Sequence, residues 1–100
     1  MTMEFWIEGG ALLTWMDHRR IQSRFIARGV VDGDLNRGSG EWLVVRTDGV
    51  VESLTPDIFR KRTYSRNGVR ARWVGDQVQV QERDGRTRIY NYQGFLVRTV

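Results

Sequence analysis

The sequence predicts an α+β protein that is mainly β: an N-terminal strand and helix, then a bent antiparallel sheet or small barrel of roughly five to seven strands. Three observations carry this. The second half alternates apolar and polar residues between glycine-containing turns, as in VRARWV-GD-QVQVQE. The stretch GEWLVVRTDGVVESLTPDIFRKRTY is partly repeated 35 or 36 positions later as GDQVQVQERDGRTRIYNYQGFLVRTV. Before both, residues 11–28 space Leu12, Trp15 and Met16 along one helical face.

Taken in order, residues 3–8 (MEFWIE) read as a short strand ended by Gly9-Gly10. Residues 11–28 read as a helix with Gly29 at its C-terminal stop, although IQSRFIA within them also suits a strand. Residues 32–40 (DGDLNRGSG) are a cluster of turn formers and read as a surface loop. Apolar side chains on both faces of residues 42–45 fit a central strand buried on two sides. Asp48-Gly49 marks a hairpin that would set Leu43 opposite Leu54 and Val45 opposite Glu52. Thr55-Pro56-Asp57 places a capping hydroxyl before a proline, a start signal for one or two helical turns holding Ile58 and Phe59.

The turns after Gly68 fix a register by counting. Gly75-Asp76 as a two-residue type II′ loop pairs Trp73 with Val78 and Ala71 with Val80. Asp84-Gly85 as a two-residue loop pairs Val80 with Ile89, which stacks Arg70 beside Gln81 and Arg88, and Arg72 beside Gln79 and Tyr90, on the outward face. Tyr92-Gln93-Gly94 as a three-residue loop sets Ile89 beside Val97 and Asn91 beside Phe95. The outcome is a four-stranded meander. Aligning the two Asp-Gly pairs matches Phe59 with Phe95, Arg62 with Arg98 and Thr63 with Thr99; a duplicated hairpin unit and a coincidence of turn residues both account for it.

One hundred residues with a single proline, Pro56, and no low-complexity tract read as a single domain, residues 1–100. Forty percent hydrophobic residues, including four Trp, four Phe and three Tyr, are enough to form a core. Trp6, Trp15, Trp42 and Trp73 are expected within it or at its margin. Cysteine is absent, which removes disulfides, thiolate metal sites and cysteine nucleophiles and suits a reducing compartment. No apolar run approaches the roughly 20 residues that span a bilayer, so no membrane insertion is expected and the cytoplasm is the default. The net charge of +4 is built from fifteen arginines and one lysine, Lys61. Guanidinium groups recognise phosphate, carboxylate and aromatic faces.

Catalytic chemistry is not visible. His18, in Asp17-His18-Arg19-Arg20, is the sole histidine and reads as a solvated side chain. Asp32, Asp34 and Glu41 lack the order of a calcium loop, and Gly29, Gly33, Gly38 and Gly40 are followed by no Lys-Ser/Thr. No enzyme, metal or cofactor is expected. The candidate contact surface is the outward row Arg70, Arg72, Arg86, Arg88 and Tyr90 with Tyr92, joined by a second basic cluster at Arg60, Lys61 and Arg62 with Arg66.

The residues Gly40-Glu41-Trp42-Leu43-Val44-Val45, Asp48-Gly49, Pro56-Asp57-Ile58-Phe59 and Thr63-Tyr64 resemble a motif of small bacteriophage and prophage proteins. That group carries Pro-Gly-Asp-Trp or Pro-Gly-Asp-Tyr, an Ile/Val run, a glycine turn and Pro-Asp-Ile-Phe followed by Thr-Tyr. Here Ser39 stands at the proline position, and the chain runs 36 residues beyond Tyr64. The resemblance covers about a quarter of the chain. It implies a phage-encoded accessory protein in the cytoplasm of a bacterial host and transfers no catalytic residues. The functional expectation is a non-enzymatic protein, monomeric or weakly dimeric, that occupies a host protein or ribonucleoprotein complex, as in host takeover or inhibition of defence. The alternatives are direct nucleic-acid binding through the arginine and tyrosine face, and a virion or assembly component.

Overall fold

The computed structural model describes residues 5–17 and 20–100, of which residues 6, 13–17 and 20–27 are described as backbone alone. Met3, Glu4 and His18 lie outside the described residues. The chain forms eleven antiparallel strands and no helix among the described residues. They make three sheets, each a simple meander. The first holds β1 (Phe5–Glu8), β2 (Ala11–Asp17) and β3 (Arg20–Arg28). The middle sheet holds β4 (Val30–Leu35), β5 (Trp42–Arg46), β6 (Val51–Leu54) and β7 (Arg60–Ser65). The third holds β8 (Gly68–Val74), β9 (Gln77–Glu82), β10 (Thr87–Tyr90) and β11 (Leu96–Thr99). No helix among the described residues is long and apolar enough to cross a membrane.

The α+β expectation is therefore corrected to all-β, with more strands than the expected five to seven. Residues 11–28 are the two strands of a hairpin, Ala11 opposite Arg28 and Thr14 opposite Arg24. Gly9 and Gly10 both take positive φ (58° and 76°), which turns β1 tightly back into β2 with Glu8 opposite Ala11. A segment already paired on both sides gains more from its ladders than from a helical face, so local helical spacing loses to tertiary pairing. Residues 32–35 belong to β4 instead of a loop; the loop is confined to residues 36–40, where the Asn36 side chain accepts the N–H of Gly38 at 3.0 Å.

The expected short helix at Thr55-Pro56-Asp57 is also corrected. Ile58 N–H bonds Thr55 C=O at 2.8 Å, Ile58 takes φ 70°, and Thr55 N–H returns to Phe59 C=O at 2.8 Å. The chain makes a single turn and re-enters the sheet as β7. The Thr55 hydroxyl does accept a backbone N–H, that of Phe59 at 3.0 Å, but closes a hairpin with it.

Position 36 residues further on, the same geometry recurs. Gly94 N–H bonds Asn91 C=O, Asn91 N–H bonds Phe95 C=O, and the Asn91 side chain accepts the Phe95 N–H, each at 2.9 Å. Gly94, at φ 94°, stands where Ile58 stands in the first copy. The Asp-Gly turns match as well. Gly49 N–H bonds Arg46 C=O and Gly85 N–H bonds Glu82 C=O, both at 2.9 Å, and Asp48 and Asp84 each accept the N–H two residues ahead. The two meanders thus share two loop geometries at a constant offset, which favours a duplicated hairpin unit over coincidence.

These loops also correct the register. Glu82 N–H bonds Arg86 C=O, so Arg83-Asp84-Gly85 is a three-residue loop: a tight turn closed by a left-handed glycine at φ 86°. Val80 therefore faces Arg88 and Gln79 faces Ile89, one position away from the expected pairing of Val80 with Ile89. The same loop at Thr47-Asp48-Gly49 pairs Trp42 with Leu54 and Val45 with Val51. The expected two-residue turn at Gly75 is present, with Trp73 opposite Val78 and Ala71 opposite Val80. The loop at residues 92–94 has the expected three residues, but a bulge between Ile89 and Tyr90 sets Ile89 opposite Arg98 in place of Val97.

The middle sheet packs on both sides. Trp42 and Val44 join Leu12, Val30 and Leu54 in one core, with Phe5 edge-on to Trp42 at 5.5 Å between ring centroids. Leu43 and Val45 join Val51, Tyr64, Ala71, Val78 and Val80 in the other, with Trp73 and Tyr90 packed against it. Strand β5 is thus the two-sided central strand its composition predicts. Trp42 and Trp73 occupy the expected core and core margin.

Carboxylates join the middle and third sheets. β8 pairs with β9 on one side, leaving the N–H groups of Ala71 and Trp73 pointing away from that ladder. Asp32 Oδ2 accepts the Ala71 N–H at 3.0 Å and Asp34 Oδ2 accepts the Trp73 N–H at 2.8 Å. Asp32 and Asp34 share one face of β4 because strand side chains alternate, and Gly33 between them turns the other way. A Cβ on Gly33 would fall 3.1 Å from a Leu12 methyl, so the Asp-Gly-Asp triplet stitches β8 on one face and admits Leu12 on the other.

Gly68 opens β8 where the two four-stranded sheets meet. A Cβ there would fall 2.2 Å from Val51 Cγ2 and 3.2 Å from Val80 Cγ1, both in the buried second core. Gly68→Ala is expected to destabilise the protein by about 2–3 kcal/mol, read from urea unfolding midpoints; a change below about 0.5 kcal/mol would contradict this packing.

Candidate anion-binding grooves

The register decides where each expected contact residue goes. Arg70 and Arg72 lie on the outer face of the third sheet, opposite Gln81 and Gln79, as expected. Arg88 and Tyr90 do not join them. Standing opposite Val80 and Val78, they face the inner side, where Arg88 pairs with Glu82 and, at 3.1 Å, with Asp84. The Tyr90 hydroxyl donates to Glu82 at 3.1 Å, and burial together with that carboxylate pushes its pKa up. The continuous outward arginine and tyrosine row is therefore corrected: a one-residue difference in loop length exchanges the faces of β10. Arg86 is exposed beside the Asp84-Gly85 turn.

Lys61, Arg62 and Tyr92 come together elsewhere, around a residue the sequence did not mark for contact, Glu41. The Glu41 side chain is 5 % exposed, with Lys61 Nζ at 2.6 Å and the Tyr92 hydroxyl donating at 2.9 Å. Lys61 also donates to the Tyr92 hydroxyl, and Arg62 donates to the Tyr92 carbonyl at 2.6 Å. Both cations sit over the Tyr92 ring, at 5.0 and 5.1 Å from its centroid. This cluster ties β7 to the β10–β11 loop. It brings three expected residues together, and their hydrogen-bonding groups are turned on one another.

The open concave surface lies beside the seam between β4 and β8. One groove, of 660 Å³, is lined by Arg46, Arg70, Arg72 and Arg83 around Asp32 and Gly68. A second, of 520 Å³, is lined by Arg28, Arg46, Arg60 and Arg66 around Asp48 and Glu52. Arg46 and Thr47 line both. Seven arginines against three carboxylates leave a surplus of four positive charges in this lining, equal to the chain's entire formal net charge of +4.

Apart from Arg28, the guanidinium groups fall into two sets. Arg46, Arg60 and Arg72 are positioned by carboxylates. Arg46 Nη2 lies 2.7 Å and Arg60 Nε 3.0 Å from Glu52, whose side chain is 2 % exposed, and Arg46 also donates to the Arg28 carbonyl at 2.8 Å. Arg72 pairs with Asp32. A buried carboxylate holding two guanidinium groups satisfies itself and fixes their orientation. Among the described residues no carboxylate pairs with Arg66, Arg70 or Arg83. Arg83 lies across Gly49, where a Cβ would come within 2.8 Å of its Nη2. The glycine that closes the first hairpin thereby makes room for an arginine from the second.

Of the expected residues, Arg60, Arg66, Arg70 and Arg72 line the grooves, whereas Arg28, Arg46 and Arg83 were missed. The repeat held a signal for Arg46. Offset by 36 residues, the Arg46–Glu52 pair matches Glu82–Arg88 with the charges exchanged, so both turns carry an ion pair across the hairpin. Asp32 and Asp34, weighed as oxygen ligands, spend their oxygens on β8 and Arg72, and Glu41 lies in the separate Lys61 cluster.

No protein-family model matches the chain, and no curated protein matches its sequence.

Burial alone would raise the Glu41 carboxyl, but hydrogen bonds from Lys61 and Tyr92 outweigh it and hold the pKa below the ordinary 4.5. Lys61 is raised above 10.5, chiefly by its hydrogen bond to Glu41. A depressed carboxyl stabilises the fold above its unfolded pKa and loses that contribution as pH falls through the folded value; a raised amine stabilises below its unfolded pKa and loses it as pH rises through the folded value. Glu41→Gln is therefore expected to unfold more easily by about 1–3 kcal/mol at neutral pH. The deficit should be widest between about pH 5 and 10 and shrink outside that window. Urea titrations across pH check this, and a deficit independent of pH would contradict it.

Proposed function

We propose that the chain is a non-enzymatic accessory protein of the phage type, which acts in the bacterial host cytoplasm by occupying an anionic surface of a host macromolecule. The observation that carries this reading is the surplus of four positive charges among the described residues that line two adjoining open grooves. Among the described residues, Arg66, Arg70 and Arg83 have no carboxylate to displace before they meet a ligand. The buried carboxylates point the same way: Glu41, Glu52 and Glu82 are committed to cations and hydroxyls of the chain itself, as structural ion pairs are. Occupation needs a rigid, preformed surface more than a moving one, and a meander locked by a two-sided core supplies it.

The test compares tagged wild-type protein with Arg70→Glu/Arg83→Glu in capture from infected-cell extract, analysing both protein and nucleic acid. Both residues are exposed, so the variant is expected to keep its fold. The expected result is a stoichiometric host macromolecule retained by the wild type and reduced at least about tenfold on the variant. Equal capture by both proteins, or none by either, would overturn the reading.

A further inference from the structure

Resting on that reading, we infer that the ligand of the two grooves is the phosphodiester backbone of a nucleic-acid duplex, held by charge and without contact to base faces. The two sources of anionic surface in a cell, nucleic acid and acidic protein, differ in what else they need from a binding site. A protein partner needs an apolar or aromatic centre, because binding energy at protein interfaces concentrates in desolvated anchors. Among the described residues the grooves have none: their apolar lining is Val31 and Val69 in one and Val50 in the other. The large exposed apolar side chains of Phe95, Leu96, Val97 and Val100 belong to β11 and its flanks, outside both linings. Protein–DNA interfaces, by contrast, are polar and strongly positive.

A single strand needs something further. Its unpaired bases gain most of their sequence-tolerant affinity by stacking on aromatic rings. Among the described residues no aromatic side chain lines either groove. Tyr90 is turned to the inner face and bonded to Glu82, and the Tyr92 ring is covered by Lys61 and Arg62. A duplex hides its bases and presents a line of phosphates, which suits a lining of guanidinium forks and the Thr47 and Thr63 hydroxyls. The shared rim at Arg46 and Thr47 makes the two grooves one track. Along it stand arginines positioned by Glu52 and Asp32, together with Arg66, Arg70 and Arg83, which no carboxylate pairs with among the described residues.

The experiment measures fluorescence anisotropy of a labelled duplex of about 20 base pairs, of a matched single strand, and of the duplex with polyglutamate as competitor. Engagement of about four phosphates predicts that duplex affinity falls roughly 10²-fold between about 50 and 200 mM salt. Arg70→Glu/Arg83→Glu should weaken duplex binding at least about tenfold, whereas Arg86→Glu/Arg98→Glu, with the same charge change on exposed residues outside the linings, should weaken it less than about threefold. Equal losses in the two variants, tighter binding of the single strand, or displacement by polyglutamate at equal charge concentration would each overturn the inference. So would absence of duplex binding at low salt. If the capture experiment then still returned a groove-dependent protein, the general function would stand and only the ligand class would fall.

Discussion

The molecule depends on two hydrogen bonds that side-chain carboxylates accept from the backbone N–H groups of a strand they do not pair with. β8 is an edge strand, and an edge leaves every second N–H without a ladder partner. Asp32 and Asp34 supply acceptors at that spacing because alternate residues of β4 share a face. A buried N–H without a partner costs free energy comparable to a lost hydrogen bond, so the seam satisfies β8 while fixing its position against the middle sheet. Both the buried second core and the groove floor at Gly68 follow from that position. A negative side chain at the seam also anchors Arg72, one of the arginines of the groove wall.

The duplicated unit explains how so much order fits into 100 residues. Each copy is a four-stranded meander with the same two three-residue loops, and the second docks against the first. The docking is asymmetric. The first copy is buried on both faces, so β5 and β6 are buried nearly throughout, with Glu52 paired to Arg46 and Arg60 and Ser53 as the other buried polar side chain. The second has one covered face, and β9 alternates in the manner of a half-exposed strand. The exchanged ion pairs, Arg46 with Glu52 and Glu82 with Arg88, show one diagonal position serving two purposes. In the first copy the arginine lies at the groove, and in the second the glutamate gathers Tyr90 and Ser65 beneath the sheet.

What the sequence made legible follows from how local each signal is. The Gly75-Asp76 turn, the Tyr92-Gln93-Gly94 loop and the two-sided strand at residues 42–45 depend on few residues and are present. The Asp-Gly turns were legible as turns but not in length, because Asp-Gly serves both the two-residue turn and the three-residue loop with a left-handed glycine. That single ambiguity moved Arg88 and Tyr90 from the outer face to the inner. Residues 11–28 carry both helical spacing and strand composition, and only pairing to β1 decides between them. The grooves were illegible for another reason. Arg46 ends β5 and Arg83 lies in the loop between β9 and β10, and the two share a groove only once the third sheet docks on the middle one.

Amide hydrogen exchange at Ala71 and Trp73 tests the seam most directly, since those two N–H groups lie on the open edge of β8 and have only the aspartates as acceptors. At neutral pH the account predicts that they exchange as slowly as the ladder amides of the buried β9 residues Val78 and Val80. Exchange of both at the rate of an unpaired edge strand would mean that β8 is not held by β4. The docking of the two meanders and the groove between them would then have no basis.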